Sequence, residues 1–355
     1  MENFNYVLEA TEGQLLRLGA IHNRGLLADR IIDLKGLSIE EWLILRSIAG
    51  IGASEIATAL GKNPPYFKGT PLSVWKEKVS HVIQRFDNPT MRIGRNVEEA
   101  IVLEYEYLTG RKVLRVKDKM FLHTEHDFLF TDLDGLITPA GGEGWGILEC
   151  KSTVSYVYET WQTKLPTYYF RQAMGELSVM MNHPFFNESG HKCEYVDFAV
   201  LILDQRKVEI LRINKDGSFI EQQNADLKQF YQLVIDNIPP EPSVSELAVV
   251  EPMEGSYIEA TEETYKNLSE IIGLNKQIKV LEEKKDELTE EVKKEFGENE
   301  SMLYMGEVIA TWKAQNKTTI DSKKLKSEMP DIAEKYSKTS TSRIFRPKEL
   351  KVLEY

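Results

Sequence analysis

Apolar positions recur along the chain at two spacings, and the switches between them predict its elements. "NVEEAIVLEYEYLTG" (96–110) puts Val97, Ile101, Tyr105 and Leu108 on one stripe. That is the 3.6-residue period of an amphipathic helix, and Gly110 suits the position just past its end. "LSIEEWLILRSIAGIGASEIATALG" (37–61) predicts helix, turn, helix. Ser38 and Glu41 have the spacing of a capping box, and Glu40 and Glu41 put negative charge in the first turn, where the helix dipole favours it. Gly50 and Gly52 break the pattern, and a second helix is expected to begin near Ser54. Residues 1 to about 37 read as helical and of mixed character. Pro64, Pro65, Gly69 and Pro71 form a loop before a short helix around Trp75.

After 110 the period shortens. "KVLRVKDKMFLHTEHDFLFTDLDGLIT" predicts strand, turn, strand, and "GWGILECKS" a strand opened by a glycine-rich turn. "YYFRQAMGELSVMM" (168–181) returns to helix, and "YVDFAVLILDQRKVEILRIN" (195–214) predicts two strands with a turn at Asp204 to Lys207. Helices followed by strands around one long helix predict an α/β (α+β) core, a central mixed sheet flanked by helices. The proline-rich "NIPPEPS" (237–243) marks a boundary, beyond which residues 259–297 are highly charged and helical. There Ile271, Leu274, Ile278, Leu281, Leu288 and Val292 follow a 3–4 spacing broken by Lys285. A coiled coil wants a longer, cleaner seam; a helix docked on its own domain, or a short helical hairpin, fits about as well. "MLYMGEVIATWKAQ" (302–315) alternates like a strand pair around Gly306, and the tail is rich in lysine. The expected division is an N-terminal helical segment (1–37), a core (38–240) and a C-terminal extension (241–355) with a charged helix, short strands and a basic tail.

Composition narrows the function classes. The 355 residues suffice for one large domain or two ordinary ones, and 42% hydrophobic with 28% charged is ordinary for a soluble globular protein. Two cysteines, Cys150 and Cys193, are too few for a disulfide framework and fit a reducing compartment. No apolar run approaches the ~20 residues that span a bilayer. The first residues carry acids where a signal peptide has lysines, so a cytoplasmic location is expected. A net charge of -12 argues against a protein that coats nucleic acid. It does not argue against an enzyme that grips DNA locally, because acids can hold a metal while basic residues line one groove.

The chemistry concentrates in "LFTDLDGLITPAGGEGWGILECKST" (129–153), where short apolar strands carry Asp132, Asp134, Glu149 and Lys151. Burying charge is costly unless it is paired or bound to a metal. Alternate residues of a strand share a face, so Asp132 is expected to point with Asp134, and Glu149 with Lys151. If the strands pair, an acid from each and the lysine converge. Two carboxylates and a backbone carbonyl suit Mg²⁺ or Mn²⁺. A lysine beside them can position or help deprotonate a water, or offset charge on a pentavalent phosphate. The bland alternative is a hairpin with surface acids and an exposed salt bridge, which short patterns of this kind often are.

"TDLDG…GILECKS" resembles the D…(D/E)xK core of the restriction-endonuclease-like nucleases, and more closely the YqaJ-type, lambda-exonuclease-like viral recombinase family. Matching segments run in order over roughly residues 40–215. "WLILRSIAGIGASEIA" is similar to the family's Trp…Arg…Gly…(Ala/Gly)-Ser-(Asp/Glu) segment, "IGRNVEEAIVLEYEYLTG" to its G-x-x-x-E helix, and "YYFRQAMGELSVM" to its Tyr-Tyr…Gln helix. The resemblance implies that Asp134 and Glu149 ligate metal with the Cys150 carbonyl, that Glu98 is a further metal-side acid, and that Lys151 is the catalytic lysine. It implies that Gln172 orients water or phosphate, and that Arg46 and Ser54 bind a terminal phosphate. Met174 and Glu176 stand where the family often has further glutamines, and Asp132 is expected only to support. No histidine cluster suggests zinc.

The function so implied is a Mg²⁺-dependent exonuclease, 5′–3′ on linear duplex DNA. It would resect ends for a single-strand annealing partner of the RecT or Redβ type in a bacterial host, as part of a phage or prophage system. Relatives form homo-oligomeric rings. Lys323, Lys324, Lys326, Arg343 and Arg346 in the extension are candidate DNA contacts, against a solvated charged face as the alternative. Two other functions compete. One is a structure-specific or restriction-like endonuclease on the same core, for which a terminal-phosphate pocket would be useless. The other is a non-catalytic DNA-binding assembly protein, for which an intact D…ExK set would be unneeded.

Overall fold

The computed structural model describes residues 4–64, 67, 69–87, 89–187, 190, 192–242, 244–247, 257–315, 321–337 and 345–347. The chain divides into two compact units, Met1–Ser243 and Val244–Tyr355. Among the described residues no helix is long and apolar enough to cross a membrane.

The first unit begins with β1 (Phe4–Glu9), α1 (Glu12–Leu27) and β2 (Ile31–Asp33). Helix throughout residues 1–37 is therefore not what forms. β1 pairs with β4 (Val82–Asp87), and Ile31 and Ile32 pair with Phe121 and Met120, so partners 73 to 90 residues away override local preference. α2 (Ile39–Ala49) opens with the expected Ser38–Glu41 capping box. The helix expected to begin near Ser54 is short and opens as a 3₁₀ turn. At Gly50 (φ +108°) the backbone turns, in a conformation that favours glycine, and a Cβ there would lie 2.2 Å from the Phe128 carbonyl oxygen. This close approach lets β3 (Ile51–Gly52) run parallel to β7 (Leu129–Asp132). A 3₁₀ turn over Ala53–Glu55 and the four-residue α3 (Ile56–Ala59) follow, then α4 (Pro71–Ser80) before β4.

The rest of the unit builds the sheets. α5 (Pro89–Thr109) is followed by β5 (Val113–Leu114), β6 (Lys119–Leu122), β7, β8 (Gly135–Ile137) and β9 (Trp145–Thr153). Then come α6 (Ser155–Thr163), α7 (Thr167–Met180), β10 (Cys193–Ile202), β11 (Lys207–Asn214) and α8 (Gly217–Ile235). One sheet has the order β11-β10-β9-β8-β5, with β9 and β10 parallel and the other pairs antiparallel. A second has the order β2-β6-β7-β3. The expected mixed α/β core is thus present. β10 reads as a nearly unbroken apolar run because both its faces are covered. On one face Ile101, Val102 and Tyr105 of α5 pack with Leu148 and Ala199. On the other, Ala173, Met174 and Leu177 of α7 join the cluster that holds Ile147, Phe198 and Val200.

The second unit contains α9 (Val244–Leu247), α10 (Glu262–Phe296), the hairpin β12 (Ser301–Tyr304) and β13 (Glu307–Thr311), α11 (Ser322–Glu328) and α12 (Pro330–Lys335). Its Phe296 is buried and meets the Trp312 ring edge-on, with centroids 6.0 Å apart.

Candidate active site

β8 pairs with β9 only as far as Leu148, and beyond it Glu149 to Thr153 still pair with β10 on the other side. The edge that β8 vacates is taken by Asp134, which sits in the bend just before β8 and accepts a 2.7 Å hydrogen bond from the Cys150 N–H. A strand residue points its N–H and C=O the same way. The Cys150 carbonyl therefore faces the same edge as Asp134. Alternation sends the Cys150 side chain to the α5 face, while Glu149 and Lys151 face α7.

On α7 the site is met by Tyr169, Gln172 and Glu176, spaced three and four apart and so stacked on one helix face. Lys151 Nζ donates to Glu149 Oε1 at 2.5 Å, lies 3.5 Å from Gln172 Oε1 and sits 4.7 Å above the Tyr169 ring. Gln172 Nε2 donates to Glu149 Oε1 at 2.7 Å and to Glu176 Oε1 at 2.8 Å. From α5, Glu98 is hydrogen-bonded to Asp134 and ion-paired with Lys117 at 2.7 Å. The structure thus brings together Glu98, Asp134, Glu149, Cys150, Lys151 and Gln172. Burial, the neighbouring Glu149 and the hydrogen-bonded Glu98 hold the Asp134 carboxyl well above the usual carboxylate range. Glu176, 1% exposed, is raised well above it by burial and by Glu149. Burial works against the charge on Lys151, but Glu149 and Tyr169 outweigh it and keep the ammonium protonated above its ordinary range. That favours electrostatic work over base catalysis for this lysine. Burial pushes the Cys150 thiol up too, and it stays a thiol.

Among the described residues no group of three or more His, Cys, Asp or Glu stands as a ready-made metal cage. The donor set nonetheless fits a hard divalent cation in kind. Carboxyl oxygens and a strand carbonyl share one edge, and an acid whose pKa is raised by burial and by its acidic neighbours is what such a cation would ionise.

Asp132 does not join Asp134. β7 belongs to the four-stranded sheet and β8 to the five-stranded one, and the chain crosses between them at Leu133, which is buried. Asp132 is instead ion-paired with Arg46. Arg46 also lies 3.3 Å from Ser54 Oγ and 3.7 Å from Glu55, and packs over the Trp42 and Phe130 rings. Arg46 and Ser54 do meet, but two acids already face the guanidinium, and Ser54 lies within the 3₁₀ turn rather than at a helix start. In the second unit Lys324 and Lys326 are exposed on α11, with Lys324 3.8 Å from Glu328, and Arg346 is exposed. Lys323 lies on the same helix, and Arg343 falls outside the described residues.

Sequence reasoning named Glu176 only as a departure from the family pattern, and passed over Lys117 and Tyr169. The available signal was the four-residue step from Gln172 to Glu176, an acid on the one face of α7 that meets the site. Glu176 gives a stability prediction. Asp134 and Glu176 bind a proton more tightly in the folded chain than in the unfolded one, so stability falls as pH rises from the ordinary carboxylate range towards their raised values. Glu176→Gln keeps an acceptor for Gln172 and removes one ionisation. Thermal melts should show the variant gaining on the parent as pH rises and losing that gain below about pH 4. An unchanged pH slope would mean that Glu176 carries none of this dependence.

Residues 41–184 match the YqaJ-like viral recombinase domain family. Over 324 residues the chain is 29% identical to the uncharacterized protein YqaJ of Bacillus subtilis (strain 168), covering 88% of this chain and 95% of that protein. Among solved structures it is similar to LHK-Exo in complex with dAMP, with a TM-score of 0.44 and 20% identity, covering 56% of this chain and 94% of that one. It is similar too to a phage related exonuclease from Haemophilus somnus 129PT, with a TM-score of 0.36 and 13% identity, covering 53% of this chain and 96% of that one.

Proposed function

We propose, from the match of residues 41–184 to the YqaJ-like viral recombinase domain family, that the chain is a divalent-metal-dependent DNA exonuclease. It resects linear duplex ends 5′ to 3′ for homologous recombination by single-strand annealing. The observation that carries this reading is the junction of Asp134, Glu149, Lys151 and Gln172 at the open edge of β9. Hydrolysis of a phosphodiester needs a bound phosphate, an oriented water and compensation of developing negative charge. Glu98, Asp134, Glu149 and the Cys150 carbonyl are the groups that would hold Mg²⁺, or Mn²⁺ in its place. Such an ion supplies Lewis acidity towards a phosphoryl oxygen and an activated water. Lys151 holds its charge beside the phosphate and stabilises the transition state. Gln172, fixed by Glu149 and Glu176, turns its amide towards water or phosphate. The proposed partner is a single-strand annealing protein of the RecT or Redβ type that loads on the exposed strand.

Arg46 and Ser54 are the proposed grip for a terminal 5′-phosphate, Arg46 through charge-assisted hydrogen bonds. A phosphate there has to compete with Asp132 for Arg46. That ion pair favours, as a second reading, a structural Arg46 and an endonuclease that cuts internally. The two readings separate with linear duplexes bearing 5′-phosphate or 5′-hydroxyl ends, beside a closed circle, all in Mg²⁺. The exonuclease degrades only the linear forms, starts faster on 5′-phosphate, and loses that preference in Arg46→Ala. Nicking of the circle at the linear rate would favour the endonuclease.

A further inference from the structure

α10 of the second unit is 35 residues long and buries a single residue, Phe296. A helix in water draws most of its stability from packing an apolar face. Towards its C-terminal end α10 borders a cavity of about 530 Å³. Leu281, Leu288, Val292 and Phe296 line the cavity from one face of the helix, and Trp312, just past β13, lines it from the other side. Leu281, Leu288, Val292 and Trp312 are 43 to 64% exposed. The cavity is therefore an apolar trough open to water, of the kind that marks an interaction surface.

Charge decides what fits there. The ionisable residues that line the trough are Lys284, Lys285 and Lys293, and no carboxylate does. This is a selection, because the chain has a net charge of -12 and α10 carries six acids between residues 282 and 291. Lys293 is paired with Glu290 at 2.8 Å. Lys285 reaches Asp286 only at 3.9 Å, with both side chains at least 70% exposed. Lys284 is exposed and has no ion pair among the described residues. Two ammonium groups thus stand beside an apolar trough without a close counter-charge. They lie about three turns before the helix end, out of range of the negative C-terminal end of the helix dipole. A single strand of nucleic acid would meet the same lysines, but its bases need open rings to stack on. Of the two lining rings, Phe296 is 4% exposed and Trp312 alone is open. A second copy of the face would set lysine against lysine. A segment that carries carboxylates beside large apolar side chains satisfies both the trough and its rim.

We propose that this trough docks an acidic, apolar peptide segment of a partner protein, with large side chains in the cavity and carboxylates against Lys284 and Lys285. The docking is independent of the chemistry assigned to the first unit, and hydrolysis is not its readout. The test uses the full chain and three fluorescent synthetic peptides. The first is built of Asp and Leu and ends in Phe, the second has Lys for each Asp, and the third has Ser for each Leu and Phe. Fluorescence anisotropy should show saturable binding of the first, weakened by added salt, and binding weaker by about 10-fold or more for the other two. Lys284→Glu changes an exposed residue, so the fold should survive it by circular dichroism while affinity for the first peptide falls by about 10-fold. Lys284→Arg should keep that affinity, and Leu288→Asp, which puts a charge in the trough, should lower it by on the order of 100-fold. Equal affinity for the three peptides, preference for the lysine peptide, or indifference to Lys284→Glu would overturn the proposal. So would displacement of the first peptide by a thymidine oligonucleotide, or a dimer in sedimentation equilibrium that this peptide dissociates.

Discussion

Lys151→Ala is expected to lower phosphodiester hydrolysis by about 10²- to 10³-fold while the fold and the affinity for DNA survive. The ammonium is held by Glu149 Oε1 and lies over Tyr169, and its raised pKa keeps the charge in place throughout the neutral range. In the proposed mechanism that charge matters most when negative charge builds on phosphorus, so its loss acts on the transition state more than on the bound substrate. Lys151→Arg keeps a charge but not the point geometry of an ammonium, and should recover only part of the rate. A variant that loses binding as steeply as turnover, by gel shift against a circular dichroism control, would assign Lys151 to DNA grip or to stability instead.

Withdrawal of the divalent ion should abolish turnover altogether, and Ca²⁺ should restore binding without restoring hydrolysis. Oxygen ligands admit Mg²⁺, Mn²⁺ and Ca²⁺, but Ca²⁺ takes more ligands at longer distance and is the poorer Lewis acid. The stability of the chain should report the ion as well. Asp134 is raised by burial and by Glu149 and Glu98, so a cation among them removes an electrostatic cost of the folded state, and Tm should rise with Mg²⁺ concentration. Glu149→Ala should blunt that rise. Full activity in EDTA would remove the metal from the account.

Much of the core was legible because it depends on local period. α5, α7 and the run from β9 to β11 follow apolar spacing, and the capping box of α2 follows from Ser38 and Glu41 alone. The junction of Asp134, Glu149, Lys151 and Gln172 was legible as a motif. Which strand each acid would join was not. Asp132 and Asp134 are two residues apart yet serve different sheets, because the chain crosses between sheets at Leu133. That a short strand would precede the helical turn near Ser54 was not legible either, because nothing local reveals that Ile51 and Gly52 would pair with β7. β1 and β2 likewise exist through partners far along the chain. Glu176 was legible only as a departure from the family pattern, because its buried environment, not its neighbours in sequence, gives it a role.

Whether these carboxylates form a metal centre is decided by anomalous diffraction at the manganese edge from crystals of the full chain grown with Mn²⁺. A peak is expected among the carboxyls of Glu98, Asp134 and Glu149, beside the Cys150 carbonyl, and should be lost in Glu149→Ala. No peak there, or one held by other residues, would contradict it.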